Sequence, residues 1–168
     1  EQLQAHIHSI RKLGVKEVVL SGGEPLMHSN LWAFCNELKG AGIKVTLLST
    51  GLLLKRFALD VTRSIDEVII SLDGSREIHN QIRGILGAYD KIAEGVKELR
   101  VLRPRMKISA RTVLQRYNYF DFPQIINTAR QLGLDRISFL AADVSSAAFN
   151  RPEPWDKGRT EEVALDKD

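Results

Sequence analysis

Short aliphatic and β-branched runs alternate with helical stripes along most of this chain, and that alternation restricts its fold more than any other feature. Five runs read as strands: Glu17 to Ser21, Ile43 to Ser49, Asp66 to Leu72, Lys107 to Leu114 and Arg136 to Ala141. Between them, apolar residues recur at three- and four-residue spacing, which gathers them on one face of a helix. Leu3, Ile7, Ile10 and Leu13 form the first stripe, stopping near Gly14. Leu31, Phe34, Cys35 and Leu38 form the second, with Ser29 or Asn30 placed to cap it and Gly40 to end it. Leu54, Phe57, Ala58 and Val61 follow, then Tyr89, Ile92, Val96 and Leu99, then Ile125, Ile126, Ala129 and Leu132. Strand–helix–strand repeats force parallel pairing with right-handed crossovers. The fold class is therefore α/β with a parallel sheet. The pattern alone leaves open whether that sheet curls into a partial barrel or stays open and doubly wound.

A chain of 168 residues suits one domain with a real core. No apolar run is long enough to span a bilayer, and the net charge of +3 is too small to point to a nucleic-acid or membrane surface. A single cysteine, Cys35, excludes an internal disulfide and fits a reducing cytoplasm. The chain opens inside a helical pattern and without methionine, as an excised piece of a longer protein would. Composition shifts near Asn150, through Arg151-Pro152-Glu153-Pro154, to mostly charged residues. Residues 1–145 are thus expected to form the core. Residues 146–168 are expected to be a polar linker or the start of a region whose packing partner is absent.

Chemistry in parallel α/β folds gathers at the C-terminal ends of the strands. Val18-Val19-Leu20 reads as a strand covered on both faces, and it runs into Ser21-Gly22-Gly23-Glu24-Pro25. Paired glycines permit a sharp turn and leave peptide groups uncovered, so that a ligand can approach closely. The second strand ends in Ser49-Thr50-Gly51 and the third in Ser71-Leu72-Asp73-Gly74. Asp73 before Gly74 reads as a turn former or a ligand, and Thr50 either faces a ligand or only finishes its strand. His6, His8, His28 and His79 show no metal-like clustering. Arg100, Arg103, Arg105 and Lys107 read as a solvated helix end rather than a phosphate site.

Ser21-Gly22-Gly23-Glu24-Pro25-Leu26-Met27 after an aliphatic strand resembles the GGEP motif of radical S-adenosylmethionine (SAM) enzymes. Ile69-Ile70-Ser71-Leu72-Asp73-Gly74 resembles a second signature of that superfamily, and His79 to Gly84 followed by Gly87 resembles its HDxIRGxxG stretch. Ser49-Thr50-Gly51 is similar to the usual TNG, with threonine at the asparagine position, and Thr112-Val113 followed by Asn118 fits a further strand pattern. The likeness runs to about Ala141 and is strongest to the molybdopterin-precursor synthase and peptide-maturase branch. It implies a partial (β/α)6 TIM-like barrel missing its first strand.

By that resemblance, the Gly22-Gly23-Glu24 edge contacts the methionine amino group of SAM. Ser71 bonds the ribose or carboxylate, Arg111 pairs with the carboxylate, and backbone near Leu140 and Ala141 flanks the adenine. Thr50 and Asp73 complete the candidate cofactor set. The family's [4Fe–4S] cluster is held by a CxxxCxxC segment, and Cys35 is instead placed as a small core residue. The implied parent is an enzyme that generates a 5′-deoxyadenosyl radical for hydrogen abstraction, and the chain alone is expected to be inactive. Implied partners are a small-molecule or peptide substrate and an electron donor such as flavodoxin or ferredoxin. No membrane or nucleic-acid partner is expected, and self-association is expected through the exposed sheet edge. Two other readings stand beside this one: a cofactor-independent α/β-barrel enzyme using Asp73 and Glu24 as its acid pair, and a non-catalytic binding module.

Overall fold

The structure is a computed structural model that describes residues 2–145 and 153–165. Strand and helix alternate as α1 (Gln2–Lys12), β1 (Glu17–Leu20), α2 (Leu31–Gly40), β2 (Lys44–Ser49), α3 (Ala58–Ser64) and β3 (Glu67–Ser71). The chain continues as α4 (Arg76–Arg83), α5 (Ala88–Leu102), β4 (Lys107–Leu114), α6 (Phe122–Gln131), β5 (Arg136–Ala141) and α7 (Lys157–Val163). The five strands form one parallel sheet in sequential order, β1-β2-β3-β4-β5. Register pairs Leu20 with Leu47 and Ser49 with Ile70, so β2 runs two residues past the end of β1 and β3 one residue past the end of β2.

Backbone contacts divide the chain into two compact units, one built from residues up to Ile70 with Lys91–Ser109, the other from Ser71–Asp90 with Ala110 onward. In the first, Val45 and Leu47 of β2 and Val68 and Ile70 of β3 are fully buried. The same core takes Cys35 and Leu38 from α2, Val61 from α3, and Ile92 and Leu99 from α5. These are the apolar faces the helical spacing picks out. In the second, Leu72, Ala110 and Ala129 form a smaller cluster, with Leu132, Leu134 and Ile137 against it.

Three features differ from the sequence reading. β1 is not covered on both faces: Val19 is 51% exposed, because it lines an open groove beside α1 and α2 instead of a packed helix. α4 has no counterpart among the helical stripes. Its sequence, Arg-Glu-Ile-His-Asn-Gln-Ile-Arg, carries only two aliphatic residues, too few for an apolar stripe, and it closes on Gly84 in the left-handed conformation. Finally, the C-terminal stretch, expected as a polar linker or the start of a region whose packing partner is absent, contains α7, capped by Asp156 through the Arg159 N–H. Val163 is buried there, and its carbonyl accepts from the Arg116 N–H at 2.9 Å. Residues 146–152, the start of that expected linker, lie outside the described residues.

Gly51, just after β2, sits at φ +84°, and a Cβ there would lie 2.8 Å from Ile92 Cγ1 and 3.0 Å from Ile70 Cγ2. Left-handed backbone disfavours a Cβ by about 1–2 kcal/mol, and overpacking adds about 1–3 kcal/mol. Gly51→Ala is therefore expected to destabilise the protein by at least about 2 kcal/mol, read from the urea midpoint at unchanged slope.

Candidate functional site

In the first unit, the turn after β1 is built by glycine. Gly22 and Gly23 have φ +99° and +46°, and no atom lies within 4 Å of where a Cβ would stand at either. Their peptide groups are thus uncovered on that side. Glu24 then returns to extended backbone, and its carboxylate serves two ends at once. One oxygen accepts from the Leu26 N–H at 3.2 Å and so caps the 3₁₀ turn Pro25–Met27. Ser49 Oγ donates to both oxygens, at 2.9 and 3.0 Å. The Thr50 N–H donates at 2.8 Å, and Thr50 Oγ1 makes a further short bond. Ser49 Oγ in turn accepts from the Gly51 N–H at 3.0 Å. A carboxylate offers about four lone-pair sites, so these partners saturate it.

A groove of about 1,160 Å³ runs beside this turn, lined by Ile10, Val19, Gly22, Glu24, His28 and Phe34 among others. It is mostly apolar, with the polar backbone of the glycine turn at its margin.

In the second unit, the turn after β3 is held by a separate polar network. Asp73 is 4% exposed. Arg83 Nε donates to its Oδ2 at 2.5 Å, and His79 Nδ1 lies 3.4 Å from the same oxygen. The Asp73 N–H points at His79 Nδ1, 3.2 Å away. Asn118 Nδ2 donates to the Asp73 carbonyl at 2.8 Å, Thr112 Oγ1 to the Leu72 carbonyl at 2.5 Å, and the Ser75 N–H to Asp121 Oδ2 at 2.6 Å. Burial pushes the Asp73 carboxyl up, but the His79 ring and the Arg83 guanidinium overcome it and hold the group below the ordinary carboxylate range.

Of the residues singled out in the sequence, Gly22, Gly23, Glu24 and Thr50 are brought together in the first unit. Ser71 ends β3, half-buried, two residues before the Asp73 network. Arg111 lies in β4; its carbonyl accepts from the Leu72 N–H at 3.1 Å, while its buried Nε has no hydrogen-bond partner among the described residues. Leu140 is an exposed position of β5. Ser49, His79 and Arg83 take part in these networks although their residue types and spacing assign them no role. For Ser49 a signal is present, a hydroxyl at the buried end of a strand facing an acid-bearing turn.

In the first unit the uncovered glycine edge is of a kind that suits a cationic group. In the second, the buried Arg111 Nε is a charged donor with no hydrogen-bond partner among the described residues. The residues present do not fit an iron–sulfur cluster. The sequence has one cysteine, and Cys35 is fully buried in α2, where burial pushes its thiol up to about 11. Among the described residues no group of three or more cysteine, histidine or acidic side chains could hold a metal ion.

Residues 1–129 match the family description "Radical SAM superfamily". The chain belongs to that superfamily. It is 33% identical over 132 residues to a probable GTP 3′,8-cyclase of Sulfurisphaera tokodaii, covering 76% of this chain and 41% of the relative. The crystal structure of Streptococcus suis SuiB bound to its precursor peptide SuiA superposes with a TM-score of 0.71 at 16% identity, covering 95% of this chain and 37% of SuiB. SuiB bound to SAM gives 0.68 at 18% identity, covering 82% and 32%. The chain thus spans about 40% of the length of the relatives it matches, and the shared fold is that of the radical SAM enzymes.

The pKa of Asp73 carries a stability prediction. A depressed folded-state value adds stability above the unfolded value of about 3.9, and that stability is lost as pH falls through the folded value. Breaking a buried ion pair costs about 3–5 kcal/mol. Arg83 is 27% exposed, and solvent screening discounts the effect here to about 2 kcal/mol. Asp73→Asn should therefore be less stable than the parent by about that amount at pH 7. The gap should close below about pH 4, read from urea melts at both values. A gap of equal width in acid would show that the charge of Asp73 is not what holds the turn.

Proposed function

We propose that this chain is the SAM-binding portion of a radical SAM enzyme. The observation that carries the reading is the Gly22-Gly23 turn, whose peptide face is uncovered while the neighbouring Glu24 carboxylate is saturated by Ser49, Thr50 and Leu26. The backbone oxygens of the turn, not the acid side chain, are then the groups left to accept from the SAM amino group. Glu24 acts by fixing the turn, and Thr50 by holding Glu24. Within the second unit, each by its own chemistry, Arg111 offers a charged donor for a carboxylate, Ser71 a hydroxyl for a ribose or carboxylate, and the backbone near Leu140 an edge for an adenine. Asp73 sets the turn that follows Ser71. Once bound, SAM would supply the 5′-deoxyadenosyl group for hydrogen abstraction from substrate. The chain's own residues bind and orient the cofactor.

SuiB, crystallised with a precursor peptide, and the cyclase relative favour a peptide or small-molecule substrate; a flavodoxin or ferredoxin is the proposed electron donor. No helix among the described residues is long and apolar enough to cross a membrane. The free thiol of Cys35 favours a cytoplasmic setting. The exposed edge of β1, with Val19 on it, is the proposed point of self-association. The acid-pair alternative is disfavoured, because Glu24 and Asp73 both spend their carboxylates on internal partners.

In the enzyme carrying this chain, Gly23→Val should abolish SAM binding by isothermal titration with the circular dichroism unchanged. Arg111→Gln should weaken it by about tenfold, the effect of losing one charge-assisted hydrogen bond of about 1.5 kcal/mol. Unchanged affinity in both variants would overturn the assignment. The chain alone, reconstituted anaerobically with iron and sulfide, is expected to yield no 5′-deoxyadenosine from SAM. A stoichiometric cluster together with that product would show that one cysteine is enough and that the chain is active by itself.

A further inference from the structure

At the opposite end of the first unit's strands, a cleft of about 500 Å³ is lined by Lys39, Lys44, Asp66, Arg103, Arg105 and Lys107. Lys39 comes from the last turn of α2, Lys44 opens β2, Lys107 opens β4, and the two arginines lie in the loop between α5 and β4. β2 is six residues long, so Lys44 stands roughly 16 Å from the Ser49 that binds Glu24. The cleft is therefore distinct from the glycine turn, and nothing about it rests on SAM.

The acids nearby are already committed. Asp66 Oδ2 accepts from the Val45 N–H at 2.8 Å, and Oδ1 lies 4.0 Å from Lys39 Nζ. Glu67 and Glu17 both pair with Lys44, at 2.8 and 3.0 Å. Lys107 adds only a longer-range attraction to Glu17, weaker than that acid's bonds to Thr46 and Lys44. Among the described residues Arg103, Arg105 and Lys107 make no ion pair with a carboxylate, which leaves three cations around one concavity. Their loop is also locked in place. Arg103 Nη1 donates to the Ile65 carbonyl at 2.9 Å, and Arg100 Nη1 to the Met106 carbonyl at 2.5 Å. A solvated helix end needs no such convergence from α2, β2 and β4. A loop held in advance loses less conformational freedom when an anion arrives, and guanidinium groups match phosphate oxygens in geometry.

We propose that this cleft is a binding site for a small, multiply charged anion, a di- or triphosphate group. Arg105 and Lys107 supply the free charges, and Arg103 fixes the floor. A free polyphosphate and the phosphate tail of a nucleotide share this chemistry.

The test titrates inorganic tripolyphosphate into the chain by calorimetry, with adenosine triphosphate as a second probe. Saturable binding that weakens as salt rises through about 0.1 M is expected. Equal affinities would identify bare polyphosphate as the ligand, and tighter nucleotide binding would identify a nucleotide. The doubly reversed Arg105→Glu, Lys107→Glu variant should bind at least about tenfold more weakly, while Lys91→Glu on the exposed face of α5 should bind as the parent does. Both changes are on exposed side chains, and circular dichroism checks that the fold persists. No saturable binding, an unaffected double variant, or an equal loss in Lys91→Glu would each overturn the proposal. Binding of polyglutamate without tripolyphosphate would overturn it too, in favour of an acidic protein partner.

Discussion

The carboxylate of Glu24 is the tie on which the first unit's strand ends depend. β1 and β2 pair in register as far as Leu20 and Leu47, where the ladder between the two strands stops. Glu24 extends the connection by gathering Ser49 Oγ, the Thr50 N–H and the Thr50 hydroxyl onto one group. Ser49 passes the constraint to Gly51, whose lack of a Cβ lets Ile70 and Ile92 close over the end of β2. One acid thus links a glycine turn, a strand end and the core beneath them. Its strength comes from charge-assisted bonds in a half-buried setting, where losing either partner would leave a desolvated group unpaired.

The second unit meets the same need with different chemistry. The turn after β3 is polar and buried, and each of its groups is claimed from outside the turn: Asp73 by Arg83 and His79, its carbonyl by Asn118, the Leu72 carbonyl by Thr112, and the Ser75 N–H by Asp121. α4 presents His79 and Arg83 to that turn, which explains a helix with so few aliphatic residues. In each unit the strand-end turn is thus held by side chains from outside it.

Much of this is legible in the sequence because it rests on periodicity. β4 and β5 begin and end where their alternating and aliphatic runs do, and the stripes of α2, α5 and α6 name their buried faces. The glycine pair and its proline are legible as a strand-end turn, because glycine permits the sharp reversal and proline stops the strand. What periodicity does not display rests on long-range partners. Glu24 reads as a ligand group, yet its oxygens are taken by residues 25 and 26 positions away. The basic run from Arg100 to Lys107 reads as a solvated helix end, because Lys39 and Lys44, which share its cleft, lie some sixty residues earlier.

The sequence by itself determined the α/β class, the order of the five strands with those helices that carry an apolar stripe, and the superfamily. Each of these follows from local spacing or from short contiguous motifs, which a linear chain displays directly. Tertiary structure alone decided that one face of β1 stays open, that Asp73 is an internal anchor and that Arg111 Nε has no hydrogen-bond partner among the described residues. Those outcomes depend on which neighbour supplies the missing hydrogen bond or covers the face. That neighbour is chosen by strand order and helix packing, not by proximity along the chain.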